Sequence, residues 1–235
     1  MKRAITLLSG GLDSMVSTAI ARKEHNIILA LTFDYGQRAV KREMEAAKKI
    51  CKPWKIPYKV IKLPWLGEIT HTALVDRKKR IPTVCHSRLP SGGQGGNPTH
   101  QRDPRFCGDG RNAKAVWVPN RNGLFINIAA SFAESLHADL IITGFNKEEA
   151  VTFSDNSAKF VSKMNETLRF STLKRPKVVS FTQKMSKVDM VRCAIDQKLP
   201  LNCCWPCYEG GRSLCMKCES CLRFRRAILS NILVS

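Results

Sequence analysis

Acidic residues are scarce in this chain. Against 39 lysines and arginines stand only 19 aspartates and glutamates, leaving a formal net charge of +20 over 235 residues. That imbalance points outward to anionic partners: nucleic acid, nucleotides or other phosphates. The charges are spread along the chain rather than gathered in one tail, so charge alone does not choose among them. Long apolar runs are missing too. None approaches the ~18 residues of a membrane span, which excludes a membrane partner by this route. The opening Met1-Lys2-Arg3 and the apolar residues after it imitate a secretory leader, but Ser9-Gly10-Gly11 and Asp13 interrupt it. A cytoplasmic location is the expectation. Histidines number five and fall in segments without a Ser/His/Asp or Cys/His pattern, so no histidine-activated nucleophile is expected. No internal repeat is visible.

What is present alternates between strand and helix. Residues 4–8 form a short apolar run ending in Ser9-Gly10-Gly11, suited to a buried strand entering a turn. Residues 13–24 then carry Met15, Val16, Ala19 and Ile20 at helical spacing. A strand is expected at 27–33, a helix at 38–52 and a strand at 58–63. This order predicts an α/β fold of three layers, α/β/α, around a mostly parallel sheet with right-handed crossovers. Between 81 and 112 the chain turns rich in Gly, Pro, Ser, Arg and Asn, which predicts a long loop inserted into the domain. Its Cys85, His86, His100 and Cys107 have irregular spacing and carry no metal-site expectation. Beyond it, 122–137 reads as a helix with Phe125, Ile128, Ala129, Phe132 and Leu136 on one face. A strand follows at 138–143, a helix at 156–170, a strand at 177–180 and a helix at 187–198. The main domain is thus expected over 1–200. A cysteine-bearing segment over 201–235 ends in a basic amphipathic stretch.

S-G-G-L-D-S at residues 9–14 falls directly between a strand and a helix. There, helix N-terminal N–H groups cradle phosphate and glycines let the backbone come close. No G-K-[ST] follows, so the loop is not a Walker A motif, and its glycine spacing differs from the dinucleotide G-x-G-x-x-G. The six residues resemble the pyrophosphate-binding loop of the ATP pyrophosphatase superfamily, whose fold is adenine nucleotide alpha hydrolase-like and Rossmann-like. The resemblance implies that Leu7, Leu8, Ser9, Gly10, Gly11, Leu12, Asp13, Ser14, Met15, Val16 and Ser17 surround ATP, with Asp13 assisting Mg²⁺.

Three further motifs narrow the resemblance. Thr32-Phe33-Asp34-Tyr35-Gly36-Gln37 follows the second strand, and Val118-Pro119-Asn120-Arg121-Asn122 opens a helix. Cys207-Tyr208…Cys215-x-x-Cys218-x-x-Cys221 lies near the end. Together with the loop at 9–14, these look like the 7-cyano-7-deazaguanine synthase family over nearly the whole chain outside 81–112. The resemblance implies catalytic roles for Asp13, Lys187 and Arg121. It implies a substrate site at Arg121, Asn122, Asp155 and Tyr35. Ser154 stands where the family has a proline before Asp155, and Pro206 and Met216 replace a serine and a glycine around the cysteines. The implied reaction turns 7-carboxy-7-deazaguanine and ammonia into the nitrile at the expense of ATP, in the supply of queuosine or archaeosine. The partners implied are these small molecules and a second copy of the chain, with direct tRNA binding not required.

Six of the ten cysteines fall within residues 203–221. Cys207, Cys215, Cys218 and Cys221 supply four thiolates at a spacing that suits tetrahedral Zn²⁺ and leaves no open position for catalysis. An iron–sulfur cluster takes the same ligand set, and spacing leaves both open. Cys203 and Cys204 read as bystanders. Two other functions are weighed against this one. A tRNA thiolase of the same superfamily would suit the charge but would need the thiols that the metal occupies. A non-catalytic zinc-ribbon binder of nucleic acid would leave S-G-G-L-D-S without a role.

Overall fold

In the computed structural model, which describes residues 1–83 and 114–233, five parallel strands form one sheet in the order β3-β2-β1-β4-β5. The strands are β1 (Arg3–Leu7), β2 (Asn26–Asp34), β3 (Tyr58–Lys62), β4 (Leu140–Thr143) and β5 (Lys177–Ser180). The helices are α1 (Leu12–Glu24), α2 (Val40–Trp54), α3 (Pro64–Glu68), α4 (Arg121–Ser135), α5 (Lys147–Thr152), α6 (Ala158–Ser171), α7 (Lys187–Asp196) and α8 (Glu219–Ile232). The five elements expected between 4 and 63 have limits within two residues of the expectation, whereas α3 was not expected. Most of the expected 81–112 insertion, with its Cys85, His86, His100 and Cys107, lies outside the described residues.

Alternating strand residues divide the core between the two sheet faces. Ile5, Leu29, Leu31, Phe33 and Ile141 face one side, where Ile126, Ala129, Ala130 and Ala133 of α4 and Leu168 of α6 cover them. Ala4, Ala30, Leu140 and Ile142 face the other. Met15 and Val16 of α1, Ala47 and Ile50 of α2, and Met190 and Val191 of α7 close over that side. The α4 face differs from the sequence reading. Small residues at Ala129, Ala130 and Ala133 are buried and let the helix approach the sheet. Phe125, Ile128 and Phe132 flank this contact partly buried, and Leu136 is exposed. Hydrophobic spacing alone favours the large side chains, whereas close helix–sheet packing favours the alanines.

The strand order reverses direction at β1, with β2 and β3 on one side and β4 and β5 on the other. Such a switch point opens a crevice beyond the carboxyl ends of the central strands. Here it opens between Leu7-Leu8 after β1 and Thr143-Gly144 at the end of β4. The cysteine-bearing segment packs onto the same core. Cys204 and Ala227 join one face, and Cys207, Cys218 and Cys221 join the other.

Candidate functional site

A cleft of about 240 Å³ occupies the crevice. Its floor is the turn from β1 into α1. Gly10 holds φ +79, and a Cβ there would meet the Glu43 carbonyl oxygen at 2.6 Å, so the turn needs glycine. Ser14 Oγ donates to the Gly11 carbonyl at 3.2 Å and accepts the Ser9 N–H at 3.3 Å, wiring the loop internally. No side chain caps α1, so its first N–H groups are left to whatever enters the cleft. Gly144 allows β4 to pass the loop closely: a Cβ there would lie 2.6 Å from the Ser14 nitrogen.

Lys187 is set by its own local sequence. Ser186 and Asp189 form a reciprocal capping box, with Asp189 N–H donating to Ser186 Oγ at 3.1 Å and Ser186 N–H to Asp189 Oδ2 at 2.7 Å. This fixes Lys187 as the first residue of α7. Its Nζ then lies 2.5 Å from Asp13 Oδ2 and 2.8 Å from Glu149 Oε1. Burial opposes the Lys187 charge, but the two carboxylates outweigh it and hold the ammonium protonated. One ammonium cannot fully neutralise two buried carboxylates. Burial pushes Asp13 up to about 6 against the pull of Lys187, whereas at Glu149 burial is outweighed by Lys187 together with Arg223 and Arg121, which keep it low. Asp13 Oδ1 is buried without a partner. An orphaned carboxylate oxygen on the cleft floor, next to a second carboxylate, fits a hard divalent cation such as Mg²⁺. Asn146 ties the pair together: its Oδ1 caps α5 by accepting the Glu149 N–H at 2.9 Å, and its Nδ2 lies 3.4 Å from Asp13 Oδ2.

The far end of the cleft is aromatic and charged. Phe33 stacks on Phe125 with centroids 3.8 Å apart, and Tyr35 meets Phe125 at an angle of 51°. Burial works against the Arg121 charge, but the Tyr35 hydroxyl, Asp155 and Glu43 outweigh it. Gln37 latches the loop after β2, accepting the Tyr35 N–H at 3.0 Å and donating to Glu43 Oε2 at 2.8 Å. A smaller cavity of about 110 Å³ adjoins, lined by Trp117, Phe153 and Asp155 among others.

The structure therefore brings Leu7, Leu8, Ser9, Gly11, Leu12, Asp13, Ser14, Tyr35, Arg121, Asn122 and Lys187 into one wall. It does not bring all the expected residues there. Met15 and Val16 are fully buried in the core behind the loop. Ser17 Oγ is spent on the Thr143 carbonyl, at 2.6 Å. Gly10 shapes the turn from outside the cleft, and Asp155 lines the smaller cavity rather than the larger. The sequence reading missed Glu43, Asn146 and Glu149. Glu43 lies within the helix expected at 38–52 and Glu149 on α5, where no helix was expected; only an Asn at the α5 N-cap carried a local signal.

The four thiols form a second centre against the first. The sulfurs of Cys207, Cys215, Cys218 and Cys221 all lie within 4.8 Å of one another, and those of Cys215 and Cys221 are 3.9 Å apart. A tetrahedral ion with ~2.3 Å metal–sulfur bonds needs sulfurs roughly 3.8 Å apart. The set fits one such ion, and it is tighter than a four-iron cubane requires. Thiol donation from Cys218 and Cys221 and the N–H groups of Cys215 and Glu209 pull the Cys207 thiol far below its usual range. Cys218 is the N-cap of α8, which places Cys221 in its first turn at the positive end of the helix. Met216 stands where the turn needs a left-handed residue, at φ 53. Cys204 is elsewhere, its sulfur 3.5 Å from that of Met15 in the core.

This centre is not remote from the cleft. Trp205, Pro206, Cys207, Tyr208, Ser220 and Phe224 all line the larger cavity. Straps hold them there. Trp205 N–H donates to the Gly10 carbonyl at 2.9 Å, Arg38 pairs with Glu209 at 3.0 Å, and Arg42 Nε donates to the Gly211 carbonyl at 2.8 Å.

The family described as "Queuosine biosynthesis protein QueC" matches residues 3–232. The chain is 47% identical over 227 residues to the 7-cyano-7-deazaguanine synthase of Carboxydothermus hydrogenoformans, covering 97% of this chain and 98% of that protein. It is 45% identical over 225 residues to the protein of the same name from Methanosarcina mazei, covering 96% and 93%. A third, from Bdellovibrio bacteriovorus, is 44% identical over 230 residues, covering 97% and 94%. On the match over almost its full length, the chain belongs to the QueC family.

Proposed function

We propose that this protein is a ligase that converts 7-carboxy-7-deazaguanine and ammonia into 7-cyano-7-deazaguanine with ATP, in the supply of queuosine or archaeosine. The observation that carries the reading is the cleft floor: an uncapped helix N-terminus beside Lys187, Asp13 and Glu149, in a chain of this family. A carboxylate is a poor electrophile, and joining it to the nucleotide with release of pyrophosphate supplies a leaving group. Ammonia attack then displaces AMP and leaves an amide; a second ATP adenylates the amide oxygen with release of pyrophosphate, and that oxygen departs on AMP as the nitrogen loses its protons to give the nitrile. The protein's part is placement and electrostatics. The loop at 9–14 and Lys187 hold phosphates, and Arg121 and Asn122 receive the acyl carboxylate. Asp13, with its unpartnered oxygen, would hold Mg²⁺, whose role is to neutralise phosphate charge.

Cys207, Cys215, Cys218 and Cys221 would hold Zn²⁺ in a closed, structural shell. Among the described residues no helix is long and apolar enough to cross a membrane. We read the enzyme as cytoplasmic, homodimeric and acting on free small molecules rather than on tRNA.

The test incubates purified protein with ATP, Mg²⁺, ammonia and 7-carboxy-7-deazaguanine and looks for the nitrile by mass spectrometry. Absence of nitrile together with sulfur incorporation into tRNA would overturn the reading in favour of a thiolase.

A further inference from the structure

The two cavities share five wall residues: Arg121, Glu149, Asn156, Tyr208 and Ser220. What they do not share is informative. Ser9, Gly11, Asp13 and Lys187, the phosphate side, line only the larger cavity. Trp117 and Phe153, stacked with centroids 5.9 Å apart and 20° between planes, line only the smaller, together with Asp155. On the function proposed above, a nucleotide and a planar carboxylated base must meet at one bond. The junction is where both compartments are reached from one set of side chains.

Two of the five junction residues come from the cysteine-bearing segment, and each is tied to the thiol centre. Tyr208 directly follows Cys207, and Ser220 lies between Cys218 and Cys221. The N–H of Glu209, the residue after Tyr208, donates to the Cys207 sulfur at 3.3 Å. The segment is strapped to the loop at Gly10 and to α2 through Arg42, so these positions are fixed relative to the cleft floor. A neutral hydroxyl suits an acyl centre that changes from anion to neutral amide. It can donate to the developing oxygen charge without holding a carboxylate too tightly beforehand.

We propose that Tyr208 and Ser220 contact the acyl group of the deazapurine substrate at the junction, and that the four-cysteine centre serves the reaction by positioning these two hydroxyls. The inference rests on the function proposed above and adds residues to it. The test compares wild type with Tyr208→Phe, Ser220→Ala and Ser220→Thr. Metal content, ATP KM, and affinity and kcat/KM for 7-carboxy-7-deazaguanine are measured for each. Loss of one hydroxyl is expected to lower kcat/KM for the deazapurine by ~10–100-fold. ATP KM should stay within about twofold, metal should remain stoichiometric, and Ser220→Thr should recover most of the loss. Wild-type binding of the deazapurine with unchanged kinetics in Tyr208→Phe and Ser220→Ala would overturn the inference alone. So would losses that track metal content or ATP KM. No binding of the deazapurine by wild type would instead overturn the proposed function.

Discussion

The backbone N–H of Trp205 donates to the carbonyl of Gly10 at 2.9 Å, so the segment carrying the thiols is bonded to the turn that forms the cleft floor. The thiol cluster and the cleft are neighbours joined by a main-chain hydrogen bond.

Loss of the metal should therefore reach the cleft. Cys218→Ser removes one of four thiolates around a site whose binding energy orders the segment. Metal content is expected to fall below one per chain, with a lower Tm. ATP affinity measured by calorimetry should weaken by about tenfold as the wall from Trp205 to Tyr208 loosens. Unchanged ATP affinity in the metal-free protein would separate the two sites again.

Lys187 is the shared counter-charge of Asp13 and Glu149, with all three side chains less than a third exposed. Lys187→Met strands two carboxylates and is expected to cost about 3 kcal/mol of stability. Activity should fall by ~100-fold or more. In the Lys187→Met, Asp13→Asn double variant, denaturant titration should show a smaller loss than the sum of the single losses, while activity stays low. Additive losses would mean the contact is not coupled.

Gly144 ends the strand expected at 138–143, and its lack of a side chain is what lets β4 lie against the loop. Gly144→Ala would press a Cβ to within 3.0 Å of Ser14 and Asp13 backbone atoms. The expected outcome is a folded protein whose ATP KM rises severalfold, since the loop must shift at the phosphate side. A variant with wild-type ATP KM would show that the loop tolerates the displacement.

Asp13 gives a pH signature. Burial raises its carboxyl from 3.8 to about 6 in the fold. A group with a raised folded pKa contributes stability that is fully present below its unfolded pKa and is lost as pH rises through the folded one. Relative to Asp13→Asn, ligand-free wild type is thus expected to lose stability from about pH 4 to about pH 6 and to level off above. Chemical denaturation across that window measures it, and a flat difference would contradict the assignment.

Met216 occupies a left-handed position at φ 53, where a β-carbon costs ~1 kcal/mol or more. Met216→Gly should raise thermal stability slightly, by under ~1 kcal/mol once the added freedom of the unfolded glycine is counted. Metal content should not change. A clear drop in Tm would show that the methionine side chain does something the backbone conformation does not reveal.

The sequence was most informative where function depends on local geometry. S-G-G-L-D-S had to follow a strand and open a helix, and a helix was expected to start at Lys187, although the Ser186–Asp189 box that sets it there emerged only from the structure. Four cysteines at short spacing declared their cluster before any fold was known. Other residues were silent because their roles come from packing. Glu149 falls where no element was expected, and its role emerges only when α5 is seen to bring it to Lys187 of α7. Met15, Val16 and Ser17 lie next to the loop in sequence, yet the helical twist turns them into the core. The alanine face of α4 was hidden behind its larger neighbours for the same reason.

What the sequence by itself determined, then, is the parallel α/β order, the phosphate loop and the thiol quartet. Each follows from periodicity or from spacing within a few residues, which the chain's covalent geometry converts directly into proximity. What only the tertiary structure decided is that the segment carrying the quartet forms a wall of the cleft, with Cys207 in the larger cavity and Tyr208 and Ser220 lining both. Those positions are separated from Gly10 and Arg121 by long stretches of chain. Only the strand order and the packing of the C-terminal segment onto the sheet close that distance.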